Sequence, residues 1–320
     1  MLPYQLLEKK YADFVGTKHA CAVNTGTAAL HVSLEALKLP KNSKVLVPDF
    51  TMYASGLAVY YARLTPVFVD CDENLLIDLK KAEALIDKDT KVIMVTHVYG
   101  RVVDMTKVMK LAEKYNLRVI EDACEAQGAN IKNKQVGSYD IGCFSLYRNK
   151  IIHAEEGGII TSNDKDFIDI VQDMKSMSFG TDHNYYHNQI GFNYRCTDFQ
   201  ANLALESLKN VKDNLTKRDK ISQIYNSIIP EKYHMPDNRK VVWVYDIKHP
   251  KANDLVKIIN KKGITARHSF KPMSMQPLFN CKEVGFNSKK MSQNVFYLNV
   301  SPNETEEDVV RKAYTVKDLL

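Results

Sequence analysis

The sequence contains no CxxC pair. Its six cysteines, Cys21, Cys71, Cys124, Cys143, Cys196 and Cys281, are scattered singly along 320 residues, so neither a zinc ribbon nor a dithiol redox motif is indicated, and no metal site is expected. Several of them lie in apolar, strand-like surroundings, where a buried free thiol is the ordinary state. A reducing, cytoplasmic compartment is the expectation. No run of about 18 apolar residues occurs and no signal-peptide pattern opens the chain, so no part of it is assigned to a membrane. A stripe of one charge sign is also missing. The 44 basic and 38 acidic residues leave a net charge of +6, and they are mixed, as in Glu8-Lys9-Lys10 and Lys80-Lys81-Ala82-Glu83. That pattern argues against a dedicated nucleic-acid binder and is compatible with a phosphorylated ligand. There is no internal repeat and no low-complexity segment.

What is present is an ordinary globular composition, 45% hydrophobic and 26% charged, on a chain long enough for about two domains. Leu6 to Phe14 has the pattern of an amphipathic helix ending near Gly16. His19–Val23 then reads as a buried strand, Asn24-Thr25-Gly26-Thr27 as a turn, and 28–37 as a helix. Strands at Lys44–Pro48, Pro66–Asp70, Lys91–His97 and Leu117–Ile120 follow, with helices at 51–61, 79–86 and 105–115 between them. Asp104 is placed to cap the last of these helices and Asn116 to end it. Such alternation predicts a largely parallel, doubly wound sheet. Beyond it, a helix over 167–177, a polar loop over 183–189 and one long helix over 201–228 are expected. Strands near 241–247 and 265–270, a helix at 252–261 and a last helix after Asn303 complete the chain. The domains expected are 1–210 and a smaller α+β unit, 211–320.

Ligands of such sheets sit beyond the carboxyl ends of the strands, and that rule sorts the polar residues. Asp122 ends one strand. His97, Tyr99 and Gly100 follow another, and Asp49 to Tyr53 a third. Ser145 and Lys150 follow the strand at 141–146, and Asn24 to Thr27 follow the first. Taken singly, each has a plain structural role open to it. Lys150 can be a solvated loop residue, Thr25 or Thr27 a helix N-cap, and Asp122 a cap for the segment after it. Taken together, a lysine, a carboxylate and a strand–turn–helix anion cradle on one rim are what pyridoxal phosphate requires.

Runs along nearly the whole chain carry a family resemblance: Asn24–Leu30, Thr65–Asp70, His97-Val98-Tyr99-Gly100, Glu121–Ala126, Val136-Gly137-Ser138 and Asp140–Ser145. They continue with Asn149-Lys150 through Glu156-Gly157-Gly158, Gly191–Arg195, and Lys271-Pro272-Met273 with Gln276-Pro277. In these the chain resembles the DegT/StrS-type nucleotide-sugar aminotransferases. The resemblance implies an α/β, fold-type-I architecture with a mainly parallel central sheet, acting as a homodimer with shared active sites. It implies pyridoxal 5'-phosphate as cofactor, with pyridoxamine phosphate as its intermediate form. Lys150 would form the Schiff base and act as general acid and base, and Asp122 would face the pyridine nitrogen. Glu125 would bond the ring hydroxyl, where many members carry Gln or His. Gly26, Thr27 and Ser145 would hold the phosphate, and Asn193 would reach the partner subunit's phosphate. Arg267, Tyr147 and His153 are the expected substrate contacts. The reaction implied passes an amino group from a donor, usually L-glutamate, to a nucleotide-linked keto-sugar. Glu125 and the run Asn149-Lys150-Ile151-Ile152 look most like enzymes that aminate C4 of 4-keto-6-deoxy sugars, as in perosamine or viosamine synthesis.

Three features depart from the family pattern. Members usually carry a further segment before the helix at Leu6, one that helps cover the active site. The small residues that usually follow the lysine are replaced by His153-Ala154-Glu155. Where an aromatic often stacks on the cofactor ring stands Met52, with Tyr53 next to it. Two other functions are weighed on the same residues. A cofactor-dependent sugar dehydratase would have histidine in place of Lys150. A cofactor-free binding or regulatory relative would not need Lys150, Asp122 and Ser145 together.

Overall fold

The computed structural model describes residues 1–180 and 185–320. Of the polar loop expected over 183–189, residues 183 and 184 lie outside the described residues, and 185–189 lack regular structure. The chain opens with α1 (Pro3–Val15), closed by Gly16 at φ 82°. It then alternates β1 (His19–Val23), α2 (Gly26–Ala36), β2 (Lys44–Pro48), α3 (Tyr53–Tyr61), β3 (Thr65–Val69), α4 (Leu79–Ala84), β4 (Thr90–Thr96), α5 (Met105–Tyr115) and β5 (Arg118–Asp122). Asp104 caps α5 by accepting from the Thr106 and Lys107 N–H groups, and Asn116 ends it at φ 52°. A minimal hairpin, β6 (Asn130–Ile131) and β7 (Lys134–Gln135), precedes β8 (Ile141–Ser145), β9 (Gly158–Ser162) and α6 (Lys165–Met174).

One seven-stranded sheet, ordered β1-β9-β8-β5-β4-β2-β3, organises this part. β8, β5, β4, β2 and β3 pair in parallel. β9 is antiparallel to both of its neighbours, so β1 points the same way as the parallel set. All strands but β9 therefore end on one rim, and Gly158, where β9 begins, lies on that rim too. The strands read as unbroken apolar runs because both faces are covered. Leu46, Ile93, Val95 and Phe144 enter the core shared with α1, α5 and α7 (Asp198–Lys209). Val45, Val47, Val92 and Met94 enter the core shared with α2, α3 and α6.

The single helix expected over 201–228 is two, α7 and α8 (Val211–Ile228), meeting at Asn210 with φ −94° and ψ 6°. The Asn210 side chain donates to Glu206 O at 3.0 Å, a local bond that competes with the helical ladder. The rest is an α+β unit: β10 (Val244–Lys248), α9 (Ala252–Lys261), β11 (Ala266–His268), α10 (Phe286–Asn294), β12 (Val295–Asn299) and α11 (Glu306–Lys317). β12 is the central strand of an antiparallel sheet ordered β10-β12-β11.

Polar latches at Asp49, Asp70 and Arg101 hold this unit on the large sheet's rim. Asp49 accepts from Ser274 N (2.7 Å), Ser274 Oγ (2.9 Å) and Gly285 N (3.2 Å). Arg101, after β4, pairs with Asp246 on β10 at 2.8 Å, both side chains fully buried, and Arg239 lies 3.3 Å from the other Asp246 oxygen. No described helix is long and apolar enough to cross a membrane.

Candidate active site

A cleft of about 380 Å³ lies on the rim, between the strand ends and the C-terminal unit. Its first wall is the turn from β1 into α2. Thr25 caps α2 by accepting from Ala28 N at 3.0 Å. Among the described residues, no partner is recorded for the N–H groups of Gly26 and Thr27, the first two of the helix. These N–H groups and the positive end of the helix dipole face the cleft. A Cβ on Gly26 would stand 2.8 Å from Ser145 Cβ, and one on Gly158 2.3 Å from Thr25 O. Both glycines are thus required for the turn to lie against the ends of β8 and β9.

The floor is built by β5 and the segment after it. Asp122 accepts from Ser55 Oγ at 2.8 Å and from Cys124 N at 3.3 Å. A hydroxyl chain, Thr96–Thr51–Ser55, backs that contact. Glu125 is 4% exposed and accepts from Tyr99 N at 3.0 Å. Tyr99 has φ 54°, and a Cβ on Gly100 (φ 83°) would meet Val241 O at 1.9 Å. That tight turn aims the Tyr99 N–H at Glu125. Burial pushes the Glu125 carboxyl up to about 7, against the pull of Lys150 and of the Tyr99 N–H.

Lys150 stands in the connection between β8 and β9 and is buried. Its Nζ lies 3.9 Å from Glu125 Oε1 and 3.8 Å from the centre of the Trp243 ring. Trp243 is the one tryptophan of the sequence, and its Nε1 donates to Asn149 O at 2.9 Å. The connection is clamped by buried Gln127, whose Nε2 donates to Ser145 O and Ile152 O and whose Oε1 accepts from Ile152 N. Neither Trp243 nor Gln127 is among the site residues expected from sequence. A lone tryptophan was the available signal for the first, and Glu125-Ala126-Gln127 gave none for the second.

The expected site residues fall in four places. Gly26, Thr27, Met52, Asp122, Glu125, Ser145, Tyr147 and Lys150 line the one cleft, with Met52 51% exposed at its edge. Arg267 is exposed on β11, paired in register with Tyr297, which does line the cleft. Asn193 is exposed and bridges Ser176, and His153 faces a second cleft; neither lines the first.

The donor set fits pyridoxal phosphate on observations of this structure. It offers an open helix N-terminus with a serine beside it, a buried carboxylate held by hydroxyl and amide donors, and a buried lysine within one cleft.

Comparison with known proteins agrees with that fit. The profile of the DegT/DnrJ/EryC1/StrS aminotransferase family matches residues 3–317. The chain is similar to GDP-perosamine synthase of Caulobacter vibrioides, 37% identical over 284 residues, 84% of this chain and 76% of the relative. Its fold is similar to Helicobacter pylori PseC, an aminotransferase of pseudoaminic acid biosynthesis, with a TM-score of 0.93 at 24% identity, over 99% of this chain and 90% of the other. It is also similar to NtdA of Bacillus subtilis, solved with the cofactor PMP bound, with a TM-score of 0.89 at 24% identity, over 99% of this chain and 77% of the other.

Proposed function

Because the chain belongs to the DegT/DnrJ/EryC1/StrS aminotransferase family, we propose that it moves an amino group from L-glutamate to C4 of a nucleotide-linked 4-keto-6-deoxy sugar. The observation that carries the chemistry is the convergence of Lys150, Asp122 and Glu125 with the Gly26–Thr27 turn in one cleft. The similarity to GDP-perosamine synthase supports the sugar class.

Pyridoxal phosphate, the cofactor of this family, supplies a conjugated ring that takes up an electron pair from a carbon bonded to the amino nitrogen. The chain's residues do the rest. The Gly26 and Thr27 N–H groups and the Thr27 and Ser145 hydroxyls bind the phosphate. Asp122 keeps the ring nitrogen protonated, and Ser55 and Cys124 N hold its carboxylate in place for that task. Glu125 meets the ring hydroxyl. Lys150 Nζ, once free of the cofactor, takes a proton from one carbon and returns it to another. Trp243 covers Nζ and excludes water. In this reading 1–210 hold the cofactor and 211–320 form the smaller unit. Two copies pair, and the exposed Asn193 of each reaches the other's phosphate.

The test is a two-step assay with mass detection. L-Glutamate alone should remove the visible absorbance of the bound cofactor and release 2-oxoglutarate. A panel of UDP-, dTDP- and GDP-linked sugars, both 4-keto-6-deoxy and 3-keto, should then yield one aminated product, from a 4-keto member. Amination of a 3-keto sugar alone would overturn the C4 assignment.

A further inference from the structure

A second cleft, of about 310 Å³, shares Asn149 and Trp243 with the first and is also lined by Arg148, His153, Arg218, Ser301 and Asn303. Arg218, on α8, is 3% exposed. Its Nε donates to Asn214 Oδ1 at 2.7 Å, and its Nη1 donates to Trp243 O and Val300 O, each at 2.9 Å. Those bonds use three of its five N–H groups. Among the described residues Nη2 has no recorded partner, and no carboxylate lines the cleft. Burial lowers the guanidinium to about 10 with no acid to offset it, so it stays charged at neutral pH. Burial, and after it the charge of Arg218, holds the His153 imidazole below its ordinary value. A neutral donor could tie α8 to Trp243 and Val300; a buried charge that faces no carboxylate in the cleft, with the two N–H groups of Nη2 left over, calls for an anion. At the mouth, the mostly exposed Arg148 side chain lies 3.4 Å from Glu155 and 5.5 Å from the centre of the Tyr147 ring, solvent-screened contacts that let it turn inward at small cost.

We propose that this cleft binds a phosphate or diphosphate group, anchored by Arg218 and closed by Arg148, with Ser301 and Asn303 supplying polar contacts. The site lies outside the aminotransferase cleft and shares a wall with it. A bound anion would therefore act on Trp243 through the Arg218–Trp243 bond.

The single tryptophan makes the test direct. The protein is first saturated with pyridoxal phosphate, so that the Gly26–Thr27 turn is filled. Inorganic phosphate and inorganic diphosphate are then titrated in, following Trp243 fluorescence and heat of binding. Saturable binding is expected. Arg148→Ala should weaken it. Asn303→Asp, a change at an exposed position that sets a carboxylate at the mouth, should weaken it about tenfold or more. Arg218→Gln should abolish it, with the cofactor absorbance reporting that the fold is retained. Displacement of the inorganic ligand by a nucleoside diphosphate would identify a nucleotide as the source of the group; binding without displacement would identify free phosphate. Absence of saturable binding to wild type at millimolar ligand, or equal binding by Asn303→Asp, would overturn the proposal.

Discussion

Glu125 gives the site a pH dependence that can be worked out. Its carboxyl is at about 7 in the folded protein against an ordinary 4.5. A raised folded value means that stability is full below the unfolded value and falls as pH rises through about 7. Glu125→Gln has no proton to lose. The cofactor-free variant should match wild type near pH 5 and exceed it near pH 8, by up to about 3 kcal/mol. Thermal melts at the two pH values check this, and an equal difference at both would contradict it. Gly26 gives a second prediction at this scale. In Gly26→Ala the added methyl meets the Ser145 Cβ at 2.8 Å and its Cα at 3.1 Å, so the turn must move off the end of β8. Cofactor affinity should fall about tenfold or more, measured by absorbance titration, while far-UV circular dichroism stays unchanged. Lys150, Asp122 and Ser145 could be placed on one rim from the sequence because each follows an apolar strand, whereas Glu125 came from the resemblance alone. Trp243 could not, since it reaches Lys150 from the lead into β10, far along the chain, and no local pattern links the two.

At the scale of elements, the parallel strands were legible from their apolar runs, and α5 from Asp104 and Asn116 at its two ends. The break at Asn210 was hidden by continuous helical spacing on both sides, and β12 by following α10 with no turn residue between them. The hold of one unit on the other depends on residues distant in sequence. Arg101, Asp246 and Arg239 meet only in the fold, and the Arg101–Asp246 pair is fully buried. Removing one partner leaves an uncompensated buried charge. Asp246→Ala should therefore lose about 3–5 kcal/mol, read from urea unfolding. A loss below 1 kcal/mol would mean that the pair does not hold β10 to the segment after β4.

For the whole molecule, the direction of the strands decides where the site forms. With every strand of the central sheet but β9 ending on one rim, groups from the ends of β1, β5 and β8 share one cleft although the chain separates them. The resemblance read from sequence ran through those same strand ends, which is why fold and cofactor were legible together. The order of strands was not, because β1 reaches its place beside β9 only through pairing across the chain. Lys150 is the residue placed to anchor the cofactor in that cleft. Borohydride reduction of the cofactor-loaded protein, followed by peptide mass mapping, tests it most directly. The reduced cofactor's mass is expected on the peptide containing Lys150, and on no peptide of Lys150→Ala. Labelling of another lysine, or none in wild type, would contradict it.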